Sequence, residues 1–346
     1  MTKKSLFLIP VLVGFFAPVT VAAPYSAELS LDYEETEVGS TDTDTIDFAG
    51  RYYFSPVNTG NGPLQEAAFI ERADSIAFRY NGSESELGSQ TINDTDSYEL
   101  SGTYVHNETG WLIGAGYSDI SGSGPSSPFS RTDIDGDSYS LSIGKYLLDN
   151  TTLELGYQKT EIDTRLTIFP LVFGSPVILP APVMPLVSNV NQENTAFTLS
   201  VKHLGKMDEY YYQVRASYAD TEFNARISDA PIAFFGSPSL AVTEEENADS
   251  FSIGTTFYLL NNLGFSFDYL TTDNDSTDPK SYSLGVKWFP IPNLALTVGY
   301  SETRVGSFQV MTLVPNPGGT PPFTSVPTTV SLPDGESFSL GASFRF

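Results

Sequence analysis

Phe338-Ser-Leu-Gly-Ala-Ser-Phe-Arg-Phe346 closes the chain, and its reading decides the fold. Phe338, Leu340, Ala342, Phe344 and Phe346 alternate with Ser339, Gly341, Ser343 and Arg345. A period of two sends the two sets to opposite faces of a strand. One face is apolar, the other small or polar, and the last residue is a bare phenylalanine. That combination fits the closing strand of a membrane barrel, with lipid on one side and a wet lumen on the other.

The opposite end of the chain agrees. Lys3 and Lys4 precede an apolar run over 6–21, followed by Ala22 and Ala23. No second apolar run matches it in length, so residues 1–22 are expected to be a cleaved export signal rather than a membrane anchor, and 23–346 the barrel. Without Lys3 and Lys4, 15 basic residues face 42 acidic ones, a formal charge of −27. Such a surface excludes nucleic acid as a partner, because phosphate binding needs a basic one. The chain has no cysteine, which removes disulfides and thiolate metal sites. Mean hydropathy is near neutral at −0.11, as expected when apolar residues occupy every second position.

Alternation marks fourteen candidate strands, at about 25–34, 46–54, 74–82, 97–106, 110–119, 137–147, 151–162, 194–205, 209–221, 248–260, 263–272, 280–289, 293–304 and 336–346. The expected fold is all-β, a transmembrane antiparallel up-and-down β-barrel of about 14 strands, with 12–16 admitted. Links alternate between short and long. The short ones are Asn107-Glu108-Thr109, Leu148-Asp149-Asn150, Lys206-Met207-Asp208, Asn261-Asn262 and Pro290-Ile291-Pro292. The long ones cover 35–45, 83–96, 120–136, 163–193, 222–247, 273–279 and 305–335, and are expected to be extracellular loops. Short turns face the periplasm in such barrels, which would place both termini there, in a Gram-negative outer membrane.

Thirteen strands carry an outward aromatic near the long-link end, including Tyr33, Tyr80, Tyr117, Tyr157, Tyr218, Tyr300 and Phe338. A periplasmic β-sandwich would also alternate, but it would not need this girdle. A hairpin repeat lies beneath the variable loops: Tyr139 to Tyr157, Phe251 to Tyr269 and Tyr282 to Tyr300 are each spaced by 18, with Tyr146, Tyr258 and Phe289 seven residues in.

One link breaks the pattern. Residues 55–73 join the second and third strands on the short-turn side, and Pro63 with Leu64-Gln-Glu-Ala-Ala-Phe-Ile-Glu-Arg72 predicts a short helix. It would either cap the barrel base or tuck inward and narrow the exit. Tyr52-Tyr-Phe-Ser-Pro-Val57 with Gly62-Pro-Leu-Gln-Glu-Ala-Ala-Phe-Ile-Glu-Arg72, then Gly110-Trp-Leu-Ile-Gly-Ala-Gly-Tyr117 and terminal Phe346, resembles the general porins of Gram-negative gammaproteobacteria. The resemblance spans the mature chain and its motifs are structural, so it implies a diffusion channel without naming a solute.

Function would reside in the lumen. The inward series carries Arg51, Arg79, Lys202, Arg215, Lys287 and Arg345, with Glu28, Asp32, Glu99, Glu154 and Asp268. Arg345 should adjoin Glu28, which adjoins Arg51 and then Arg79; Glu154 should sit beside Lys202, whose other neighbour carries Arg215. These charges either orient solutes across a pore or pair across strands to hold the wall together. Glu35, Glu37, Asp42, Asp44, Asp94, Asp96 and Glu244-Glu-Glu246 concentrate negative charge in the long links, either as a cation-gathering vestibule or as solvated surface. Asp133-Ile-Asp-Gly-Asp137 and Asp273-Asn-Asp-Ser-Thr-Asp278 resemble calcium loops, but neither completes the pattern, so no metal and no cofactor is expected.

Three long links are apolar and Pro-rich: Ile168 to Val187, Pro231 to Pro238, and Phe308 to Pro322. They would form a rigid lid, an inward constriction, a capture surface for apolar solutes, or a docking site. His106 and His203, the two histidines, fall on outward positions near the short-turn rim, and no serine is placed beside either to build a triad. The chain is therefore expected not to be an enzyme. The expected function is that of an outer-membrane porin passing small hydrophilic solutes and ions. The alternatives are a channel for apolar compounds using the Pro-rich loops, or a surface-interaction barrel. Expected partners are outer-membrane lipid and lipopolysaccharide, the barrel assembly machinery through Phe346, and small solutes, with the chain a monomer or trimer.

Overall fold

The alternating segments pair edge to edge until the last meets the first. In the computed structural model, which describes residues 24–88, 90–124, 130–168, 186–228, 242–274, 278–305, 307–315, 323–331 and 333–346, fourteen strands close one antiparallel barrel. They are β1 (Tyr25–Val38), β2 (Thr41–Val57), β3 (Ser75–Leu87), β4 (Gln90–His106), β5 (Trp111–Ser123), β6 (Ser130–Leu148) and β7 (Thr151–Ile168). β8 (Leu186–Met207), β9 (Tyr210–Ser228), β10 (Val242–Leu260), β11 (Leu263–Asn274), β12 (Lys280–Ile291), β13 (Leu294–Arg304) and β16 (Gly335–Arg345) complete the wall. β14 (Ser307–Pro315) and β15 (Phe323–Ser331) form a separate two-stranded sheet between β13 and β16, where the sequence predicts a loop.

The closing strand behaves as its alternation requires. β16 pairs with β1 from Glu28↔Arg345 to Val38↔Gly335, and with β13 along its other edge. The terminal residue is tied into the seam: the Phe346 carbonyl accepts from the amides of Ser26 (2.9 Å) and Ala27 (2.8 Å). Full closure leaves the barrel no open edge, which a backbone in hydrocarbon cannot tolerate. The outward residues between the girdles are bare: Leu100 is 55% exposed, Leu141 60% and Leu284 58%. In water such a surface would aggregate; lipid is the solvent that accepts it.

Strands run further than apolar alternation shows. β8 spans 22 residues and β6 and β9 span 19 each, against the roughly 9–11 that cross a bilayer. Much of what the sequence predicts as loop at 35–45, 83–96, 120–136, 163–193 and 222–247 is continued wall. The reason is that alternation of Thr and Ser with Asp and Glu replaces alternation with Leu and Tyr, while the backbone ladder is unchanged. Gly39, at φ +62°, turns the chain between β1 and β2 within two residues. The aspartate run over 133–137 likewise lies in β6, paired with β5, and forms no ion-binding loop.

Register places Glu35, Glu37, Asp42, Asp44, Asp94 and Asp96 on the outer face, while Glu244 and Glu246 share the inward parity of Ser252 and Gly254. Glu35 pairs with Phe338 and with Asp44, so it shares the lipid-facing side with the girdle. One step up, Glu302, Glu336, Glu37, Asp42 and Glu86 face each other in a row across five neighbouring strands. These five carboxylates lie on the outside of the rim over β13, β16, β1, β2 and β3.

Candidate functional site

Inside the wall, the buried apolar side chains gather where residues 58–74 fold into the lumen. The chain leaves β2 at the fully buried Val57, passes the buried Pro63, makes a 3₁₀ turn over Leu64–Glu66 and a short α-helix, α1 (Ala67–Ile70), then returns to β3. Val57 and Ala67 pack with Tyr25 and Tyr53; Leu64 packs with Phe289 and Ala295; Phe69 packs against Val105, Leu112 and Tyr146. Of the helix predicted over 64–72, a 3₁₀ turn (Leu64–Glu66) and a four-residue α-helix (Ala67–Ile70) form, and they tuck inward.

Its backbone groups are satisfied by the wall. The Leu64 amide donates to the Asn261 carbonyl (2.7 Å), and Arg345 Nη1 donates to the Leu64 carbonyl (2.8 Å). The Tyr146 hydroxyl donates to the Phe69 carbonyl (3.1 Å). Glu66, only 4% exposed, accepts from Lys202 Nζ (2.6 Å) and from the Tyr258 hydroxyl (2.7 Å). Near the return to β3, Arg72 adopts a positive φ of 52° and is held by Asp149 (2.9 Å) and the Tyr146 ring (4.6 Å). A non-glycine residue pays strain in that region, so these contacts fix the end of the segment. Tyr146, Tyr258 and Phe289 are the three aromatics that recur within the hairpin repeat. They are the posts on which the segment docks.

Above it lies an open cavity of about 1090 Å³, floored by Gln65, Glu66, Ala68 and Phe69. All the predicted lumen charges except Asp32 line it: Arg51, Arg79, Lys202, Arg215, Lys287, Arg345, Glu28, Glu99, Glu154 and Asp268. Asp32 lies on the same inward face, directly opposite Asp47 and Gly341 in the sheet register. Arg345 binds Glu28 (2.9 Å) across the seam, as predicted, and its guanidinium lies between the rings of Tyr25 (4.6 Å) and Phe289 (4.8 Å). Arg215 binds Asp268 (2.6 Å), and Gly254 makes room: a Cβ there would collide with the Asp268 carboxylate.

Two expected pairings differ. Arg79 lies two residues along from the Glu28–Arg51 row and binds Asp47. Glu154 faces Ser200, while Lys202 faces Thr152 and Arg215 and turns to Glu66 on the floor. Among the described residues, Arg51, Lys287, Glu99 and Glu154 border the cavity and make no ion pair, Glu99 lying opposite Arg79 in the register and Lys287 near the Phe289 ring (5.9 Å). Asp47 shares the parity of Arg51 and was legible by alternation; Glu66 was not, because it sits on no strand. His106 and His203 each contact a threonine, Thr109 (2.9 Å) and Thr151 (2.8 Å). No group of three or more Asp, Glu, His or Cys able to hold a metal occurs among the described residues. Residues 169–185 and 231–238 of the Pro-rich links, and residues 1–22 with the expected export signal, lie outside them.

A protein family described as "Putative general bacterial porin" matches residues 2–130, in line with the resemblance drawn from the sequence. No curated protein matches the chain. Among solved structures, the outer membrane protein Omp33 of Acinetobacter baumannii is 17% identical, over 94% of this chain and 100% of that one, with a TM-score of 0.50. A Pseudomonas aeruginosa FadL homologue is 11% identical over 93% and 90%, with a TM-score of 0.60. The Pseudomonas putida toluene transporter TodX is 12% identical over 94% and 91%, with a TM-score of 0.51. At these identities the likeness is one of fold alone: a closed antiparallel β-barrel.

Proposed function

We propose that this chain is an outer-membrane channel that admits small hydrophilic solutes and ions through a charged lumen. In this reading the short-turn end faces the periplasm and residues 58–74 form the constriction there. The observation that carries it is the cavity of about 1090 Å³, whose walls are charged and hydroxylated and whose floor is the inward segment. A wall built for stability alone would pair its charges. Arg51, Lys287, Glu99 and Glu154 instead present theirs to the space a solute would cross, where they set ion preference and orient dipoles.

Purified protein in planar bilayers should carry ion current in simple salt and admit small sugars into liposomes. A correctly folded barrel that neither conducts nor admits sugar rules this reading out and favours a surface-interaction role. The polar lining speaks against apolar cargo, although the Pro-rich run over 168–187 keeps that alternative testable. Its deletion should leave ion and sugar flux unchanged; collapse of apolar-compound uptake on deletion would favour the alternative.

A further inference from the structure

On the floor of the cavity the Glu66 carboxylate sits between two donors. The two oxygens of Glu66 are held separately, one by the ammonium of Lys202 (2.6 Å) and the other by the phenol of Tyr258 (2.7 Å). Tyr258 is 1% exposed and its hydroxyl also approaches Gln213 Oε1 (3.4 Å), itself 3% exposed. Lys202 stands over the Phe69 ring (4.2 Å) and faces Arg215 in the neighbouring strand. Lys202, Arg215, Gln213 and Glu66 all border the open cavity. A planar two-oxygen anion satisfies the ammonium and the phenol together; a chloride ion does not span both donors.

We propose that Lys202 and Tyr258, with Arg215 beside them, form a binding site for small carboxylate solutes, and that a solute carboxylate arriving from the cavity displaces Glu66. The inference rests on the channel reading above. Glu66 ties the helical turns of the segment to the wall through an ion pair, so its displacement removes one of the ties that hold the constriction down. The bonds at Leu64 and Phe69, the apolar contacts of Leu64, Ala67 and Phe69, and the Arg72–Asp149 pair remain, so displacement of Glu66 loosens the segment without freeing it. The walls above carry Ser101, Thr103, Ser200, Ser217 and Ser252, which suit a short hydroxylated tail. Because Glu66 is tethered, its effective concentration at the site is on the order of millimolar or more, so solutes should act in the millimolar range.

The test is single-channel recording of the full-length protein in potassium chloride, with sodium lactate, lactamide or added sodium chloride at matched ionic strength. Lactate should raise the open probability several-fold, with lactamide and chloride inert. In Glu66→Gln the basal open probability should already be high and lactate should add nothing. The double variant Glu66→Gln with Lys202→Met removes both charges together, which avoids a lone buried charge that would compromise folding. It should open as Glu66→Gln does and ignore lactate. Wild-type protein that conducts but responds equally to lactate, lactamide and chloride overturns the carboxylate site while leaving the channel reading intact. A lactate response that survives in Glu66→Gln at full size also overturns it, since the competitor would then be elsewhere. Protein that never conducts defeats the underlying reading instead.

Discussion

Replacing Arg345 with methionine should loosen both the barrel seam and the inward segment. The guanidinium is 3% exposed, bonded to Glu28 and to the Leu64 carbonyl, and stacked between Tyr25 and Phe289. Breaking a buried ion pair costs about 3–5 kcal/mol, mostly because the partner is left charged and alone. The Glu28 side chain is 19% exposed, so water relieves part of that, and the lower end, about 3 kcal/mol, applies. The double variant Glu28→Gln with Arg345→Met strands no charge and should lose the bond to Leu64 and the stacking on Tyr25 and Phe289, roughly 1–3 kcal/mol. The cycle therefore predicts strong coupling between the two sites. Unfolding of the refolded barrel in lipid, followed through its two tryptophans, measures the stability. Trypsin supplies the second readout, because Arg72 is the one basic residue in 58–74 and should be cut faster once the segment undocks. Additive losses, or a single variant within about 0.5 kcal/mol of wild type, would refute the joint role assigned to Arg345.

Three further outcomes follow from separate parts of the molecule. Tyr258→Phe deletes one bond to the buried Glu66 and should cost about 1–2 kcal/mol, read as faster trypsin cleavage at Arg72 with the barrel intact. Gly254→Val should push Asp268 off Arg215, shifting reversal potential in a salt gradient without changing heat-modifiable folding on gels. Lowering salt from about 0.15 M to 0.01 M lengthens the screening distance from about 8 to 30 Å, so the facing row Glu302, Glu336, Glu37, Asp42 and Glu86 should repel more strongly. Hydrogen exchange at the tips of β1 and β2 should then accelerate, and Glu37→Gln with Asp42→Asn should blunt the change.

Alternation alone carried most of the barrel, because lipid and lumen impose opposite demands on successive residues of every strand. The same parity placed Arg345 against Glu28 and put ten of the eleven lumen charges around one cavity. It failed where its physical basis ends. Past the girdle both faces of a strand are wet, so Thr41 to Thr45 reads as loop although it pairs with β1 and β3. Glu66 escaped because an irregular segment has no face, and its partner Lys202 was assigned to the nearest acid on a strand. Tyr146, Tyr258 and Phe289 were visible as a repeat, yet only the folded segment shows what they hold.

The most direct test of a charged channel constricted by its own inward segment is single-channel conductance with residues 58–74 replaced by a short Gly-Ser linker. A stable barrel is expected whose unitary current is several-fold larger than wild type, with less gating. An unchanged current from a folded variant would contradict it, since the constriction would then lie elsewhere in the barrel.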